Sequence, residues 1–320
     1  MLRIALPHEY PHCGLVFDWS PAVPRSILVL IAAVIAATLP RPVAAQQRGD
    51  STARDSTHTH LLRTRDGSTL IGRLVSDSAD TVRFESNGAV FTLSHAQVVE
   101  LRAIEPSLIR RGEYWFPDPN RTRLFFAPTA RMLGQGEGYF SDTYLLLFGV
   151  NGGVTSNFTL GGGMSLIPSQ DPLQNVFYLT PKVGLVDKPD FALAAGALLG
   201  VAGFEGIDAK NRSFGILYGI GSMGSTDNHV DVGAGWGYSG GSLSGEPALM
   251  IGGATRVSRR VSLLTENYYL PTLEEHGIIS YGMRFFGEKL SVDLAFLNAV
   301  GPDATFLFPG IPYVSFAVKF

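Results

Sequence analysis

The chain has 320 residues, 45% of them apolar and only 17% charged, with 37 glycines and one cysteine. Its formal net charge of −3 lacks the basic excess that nucleic-acid binding requires, and its apolar content excludes a disordered chain.

Arg25 precedes the apolar run SILVLIAAVIAATL (26–39), which is short for a bilayer-spanning helix. Pro40 and Pro42 break it, and Val43-Ala44-Ala45 offers small residues before Gln46. Residues 1–45 are therefore expected to be a signal peptide cleaved after Ala45, which implies export. The lone Cys13 precedes the apolar run, so it is not expected to be a lipidation site, and the mature chain would hold no thiol. No later apolar run is long enough for a membrane helix, so any membrane crossing must use strands.

Residues 46–57 are polar and are expected to be a linker. Residues 58–105 alternate and turn repeatedly, with turns at Asp66-Gly67, Asp77–Asp80 and Asn87-Gly88, the last a type I′ signal. About five short strands are expected. DGSTLIGRLV (66–75) resembles the first strands of Sm-like and SH3-like barrels. The resemblance implies a small soluble β-barrel module. An exported chain makes a periplasmic protein partner a better expectation than RNA. Residues 106–121 are expected to be a connector.

Residues 122–320 read as ten-residue blocks with period-two alternation, separated by turn residues. Strands are expected near 122–132, 139–150, 158–167, 176–186, 190–202, 213–223, 229–239, 247–257, 261–270, 277–286, 290–298 and 312–320. In HVDVGAGWGY (229–238), Val230, Val232, Ala234, Trp236 and Tyr238 share one face, opposite Asp231, Gly233, Gly235 and Gly237. Bulky residues on one face and small or polar ones on the other suit lipid outside and water inside. Connections alternate in length. Those at 155–157, 187–189, 225–228, 258–260 and 287–289 are tight, and those at 168–175, 204–212, 240–247, 271–276 and 301–310 are longer. This rhythm predicts an antiparallel transmembrane β-barrel of about twelve strands, its short turns and both its ends on the periplasmic side.

The chain finishes on YVSFAVKF (313–320). Val314, Phe316, Val318 and Phe320 are expected on the lipid face of a closing strand, because a sheet edge left open in hydrocarbon is untenable. This stretch resembles the C-terminal signature of bacterial outer-membrane β-barrel proteins, which implies recognition by the barrel-assembly machinery and contact with outer-membrane lipid. GEYWFPDPNRTRLFFAPTARMLGQGEGYFSD (112–142) resembles the start of uncharacterised barrels of this kind, which supply no activity.

Alternation points Arg131, Lys182, Asp231, Arg256, Glu266, Arg284, Asp293 and Lys319 inward. They could line a pore that selects solutes by charge, or pair to fill the lumen, and lumen glycines could admit an inserted segment such as 106–121. A two-residue turn at Glu288-Lys289 would set Arg284 opposite Asp293. The leading expectation is a passive channel or small-solute transporter. The rival is a closed structural or assembly barrel whose module binds a partner.

The remaining motifs yield no catalytic, cofactor or metal residue. GIGSMG (219–224) matches a dinucleotide fingerprint, but no helix pattern follows, so its glycines are expected in the lumen. An outer-membrane lipid hydrolase would need a Ser–His pair. His276 lies beside Glu274 and Glu275 with no evident serine, and His229 flanks a turn. His58 and His60 are two ligands at most, and His95 lies in the small module. Asn157-Phe158-Thr159 and Asn211-Arg212-Ser213 match glycosylation sequons but fall at turns.

Overall fold

The computed structural model describes residues 58–168, 175–202, 213–271, 277–302, 304 and 306–320. The expected leader, the linker, His276 and most of the Asn211 sequon lie outside the described residues. Five strands open the described chain: β1 (Thr59–Thr64), β2 (Thr69–Asp77), β3 (Thr81–Ser86), β4 (Ala89–Ser94) and β5 (Val98–Ala103). They form an antiparallel sheet in the order β4-β3-β2-β1-β5. Asn87 and Gly88, with φ of 51° and 79°, make the β3–β4 turn. Leu62, Leu74, Val82 and Phe84 pack on one face. Leu61 and Ile104 pack on the other, against Tyr114 and Phe116. The latter two follow or lie in a small hairpin, β6 (Ile109–Arg110) and β7 (Glu113–Tyr114).

The rest is a closed antiparallel barrel. Its strands are β8 (Gly138–Thr143), β9 (Leu147–Thr155), β10 (Phe158–Ser165), β11 (Val176–Lys188), β12 (Phe191–Ala202), β13 (Ser213–Gly224), β14 (Asn228–Ser239), β16 (Ala248–Ser258), β17 (Val261–Tyr269), β18 (Gly277–Phe286), β19 (Leu290–Val300) and β20 (Ile311–Lys319). A two-residue strand, β15 (Ser242–Leu243), folds back on β14. Each of the twelve pairs with its sequence neighbour, and β20 pairs with β8, so the sheet has no edge. The turns at 156–157, 189–190, 225–227, 259–260 and 287–289 gather at one end, together with the start of β8 and the finish of β20, whereas the short β8–β9 turn lies at the other.

The count of twelve hides two errors at the start of the tract. Residues 122–132 are not a barrel strand. Apart from a single bridge between Arg123 and Pro128, they form no ladder and run through the barrel interior. Leu124, Phe125, Ala127, Ala130 and Met132 are all buried, so successive residues are enclosed rather than alternate ones. Pro128 could not donate to a ladder in any case. The expected strand 139–150 is instead two strands, β8 and β9, joined through Tyr144 and Leu145 at φ of 59° and 60°.

The alternation holds along the wall. Leu217, Val230, Val232, Ile251, Leu263 and Leu294 are exposed on the outside, whereas Ser222, Asp231, Ser262, Glu266 and Asp293 are buried within. The GIGSMG glycines depart from expectation. Gly219 and Gly221 stand opposite Ala234 and Val232 on the outward face, and Ile220 and Ser222 point inward. On β13 Phe214, Ile216, Tyr218 and Ile220 line the lumen, so the fingerprint spacing fell on the other face of the pleat.

Candidate functional site

The interior is where the inward side chains meet the segment from Asp118 to Glu137. This segment is a plug. It enters at the short-turn end, packs Leu124 and Phe125 at 1% and 0% exposure, and leaves to join β8. Small wall residues make room for it. A Cβ on Gly153 would lie 2.1 Å from the Gly134 carbonyl oxygen, and one on Gly252 would lie 2.6 Å from the Leu124 side chain.

Glu266, on β17, holds the plug at its turn. Its carboxylate accepts the backbone N–H of Phe125 at 2.8 Å and of Phe126 and Ala127 at 3.1 Å, and the Tyr268 hydroxyl at 2.6 Å. Buried N–H groups need acceptors, and a turn of three consecutive donors suits one carboxylate. Tyr313, on β20, donates to the Phe125 carbonyl at 2.8 Å.

Arg284, on β18, is the second anchor. The hairpin register sets it opposite Asp293. It donates to both Asp293 oxygens, at 2.6 and 3.0 Å. Its remaining donors meet the Asp118 carboxylate at 2.9 Å and the carbonyls of Asn120, Arg123 and Leu124 at 2.9, 3.1 and 2.7 Å. The planar fork of a guanidinium suits this many acceptors.

The other inward charges are used similarly. Lys182, on β11, donates to the carbonyls of Thr129 and Arg131 at 3.1 and 2.7 Å. Asp231, on β14, accepts from Ser222 and meets His229 Nδ1 at 2.7 Å, and the Ser222 oxygen accepts the Ala130 N–H at 2.8 Å. Arg131 belongs to the plug and not to a strand. It reaches the Asp187 carboxylate at 3.1 Å and the carbonyls of Lys188, Pro189 and Gly224 at the turns. Lys319 meets Glu137 at 2.6 Å, and Arg121 meets it at 2.7 Å. Burial opposes the Glu137 charge, but the Lys319 hydrogen bond and the Arg121 charge outweigh it and lower its pKa to about 2.

Arg256 serves the base of the barrel. It pairs with Asp227 at 3.0 Å and lies over the rings of Phe286 and Trp115, 4.8 and 4.9 Å from their centroids. Here the N-terminal sheet docks on the short turns. Phe286 packs with Leu61, Ile104 and Phe116, Arg110 pairs with Asp227 at 2.6 Å, and Arg63 pairs with Glu288.

Beyond the plug the lumen holds a cavity of about 560 Å³. Phe126 and Arg123 form part of its floor, and Tyr178, Phe214, Ile216, Tyr218 and Met250 part of its wall. The eight predicted charges therefore do not line an open bore, since most of them hold the plug. The alternation pattern found those on strands. It missed Asp118, Asn120, Arg121, Arg123 and Glu137, because nothing local marks a plug segment that gains its partners from distant strands.

Of the histidines, His229 joins Asp231 inside, His60 meets the His58 carbonyl at 2.9 Å, and His95 lies 3.2 Å from Asp77 on the small sheet. At the other end of the chain, Val314, Val318 and Phe320 are exposed and Phe316 is half-buried. The Phe320 N–H donates to the Gly138 carbonyl at 3.0 Å, which ties the last residue to the first barrel strand.

No protein-family model matches the sequence, and no curated protein matches it. Among solved structures, the chain is similar to the NanC porin at 8% identity and a TM-score of 0.36, covering 57% of this chain and 97% of that one. It is similar to outer-membrane expressed OmpT of Vibrio cholerae at 12% identity and a TM-score of 0.31, covering 85% and 100%. A mutant porin of Rh. blastica matches at 8% identity and a TM-score of 0.32, covering 82% and 97%. At such scores these likenesses carry no argument about what the present chain does.

Proposed function

We propose that the protein is a bacterial outer-membrane β-barrel that passes small solutes through a lumen gated by residues 118–137. The outward apolar side chains and the edgeless sheet support the membrane setting, because a closed barrel satisfies every ladder hydrogen bond in lipid. The short turns would then face the periplasm, with the N-terminal sheet beneath them. The terminal strand would be the part that the assembly machinery reads. The observation that carries the gate is the plug itself, held by separable polar contacts and facing a cavity. A permanently open pore would leave the inward charges to water, whereas here they bind the inserted backbone.

Planar-bilayer recordings test this reading. The wild-type protein is expected to stay mostly closed, and Glu266→Ala is expected to give discrete conductance steps, because three plug N–H groups lose their acceptor. Heat-dependent migration on SDS gels checks that the variant barrel is folded. A folded, silent Glu266→Ala barrel would overturn the gate and favour a closed scaffold whose N-terminal sheet binds a partner.

A further inference from the structure

The cavity above the plug has a mostly apolar and aromatic lining, and apart from tyrosine hydroxyls its polar side chains lie on the plug and along β8 to β11. One of these, Arg123, is only partly satisfied. Its Nη2 donates to the Ser315 hydroxyl at 3.1 Å, but its Nε is buried without a hydrogen-bond partner. Among the described residues no carboxylate forms an ion pair with it, unlike Arg121, Arg131 and Arg256, which each have one, and Arg284, which has two. Two neighbours on the cavity lining share this condition. Thr122 and Thr159 are each 4% exposed, and their hydroxyls have no partner. Lys182 borders the same cavity.

A guanidinium does not shed its charge, so a half-buried one without an anion remains under-compensated. Buried hydroxyls without partners add to that cost. All three line one cavity, so an anion bound there would supply the acceptor that they lack. Opposite β8 to β11 the lining is apolar: Phe214, Ile216, Met250 and the ring of Tyr218, with Phe126 of the plug, offer nothing that a second charge would require. The volume falls within the range of small-molecule sites.

We propose that the cavity binds a single-chain amphiphile with a carboxylate head, the head on Arg123, Thr122 and Thr159 and the apolar chain along the aromatic wall. This deepens the gated-lumen reading, since it names the class of solute that the lumen holds and places its head against the gate. Phe126 and Arg123 belong to the plug, so an occupant would touch the plug and the fixed wall at once.

The test uses the full-length protein in phosphatidylcholine nanodiscs, with fluorescent cis-parinaric acid and its methyl ester as probes. Saturable binding is expected, the acid about tenfold tighter than the ester, as one charge-assisted contact predicts. Arg123→Gln is expected to remove the preference by weakening the acid alone. Thr159→Val, which keeps the fold's volume, is expected to weaken the acid more than the ester. Ala248→Trp, on the apolar wall, is expected to weaken both. Equal wild-type affinity for acid and ester, a preference that survives Arg123→Gln, or non-saturable partitioning alone would each overturn the site. Conductance is read separately, so the two readings fail independently. A barrel that never conducts but still prefers the acid would retain the site and lose the channel. A conducting barrel without the preference would do the reverse.

Discussion

The Arg284–Asp293 pair offers the most direct measurement of how dry the barrel base is. Both side chains are nearly inaccessible, at 2% and 1% exposure. A solvent-screened pair would contribute about 0.2–1 kcal/mol, but removing one member of a buried pair typically costs about 3–5 kcal/mol because the other charge is stranded. The two single substitutions should differ. Asp293→Ala leaves Arg284 with Asp118 and three carbonyls, so its cost is expected near the lower end, about 3 kcal/mol. Arg284→Ala strands both carboxylates and frees the carbonyls of Asn120, Arg123 and Leu124, so it is expected to cost about 5 kcal/mol. Once Arg284 is gone, removing Asp293 also removes a stranded charge. The double mutant should therefore fall short of the sum by about 1–3 kcal/mol. Urea unfolding in detergent reads these differences, and at a slope of about 2 kcal/mol per molar the Asp293→Ala midpoint should drop by about 1.5 M. Additivity within about 0.5 kcal/mol would refute the coupling. Equal single-mutant costs would refute the role given to Asp118 and the plug carbonyls.

Glu266→Ala should also expose residues 122–132 to added protease in folded barrels, and an unchanged digestion pattern would show that the carboxylate does not hold the plug. Glu137 lies on the turn before β8 with its pKa lowered to about 2, below the ordinary glutamate range. A depressed carboxyl stabilises the fold above its unfolded pKa. That stability should fade as pH drops from about 4.5 towards 2. The urea midpoints of wild type and Glu137→Gln should therefore converge on acidification, and a gap independent of pH would sink this assignment. Deleting Phe320 removes a ring from the outer face and the N–H that reaches the Gly138 carbonyl. The amount of heat-modifiable barrel recovered from membranes should fall, and an unchanged yield would argue against recognition through this residue.

The sequence by itself determined the wall. An apolar outer face and a packed interior impose a two-residue period, and that period is written into HVDVGAGWGY without reference to anything distant. The turn at Gly287-Glu288-Lys289 likewise set the register of Arg284 against Asp293, because a tight hairpin leaves few alternatives. The tertiary structure alone decided what the interior holds. NRTRLFFAPTARM carries enough apolar residues to be read as a strand. Its backbone donors are instead satisfied by Glu266, 140 residues away, and by Ser222 on another wall strand. The break between β8 and β9 was hidden too, because Tyr144 and Leu145 turn at positive φ with no glycine, proline or change of period to mark the place. Even the inward charges changed meaning: alternation fixes which way a side chain points, but only the assembled barrel decides whether it meets water, a solute or an inserted chain. Local periodicity reports the surroundings of a strand, whereas a plug takes its conformation from partners on every side, and those partners become neighbours only when the cylinder closes.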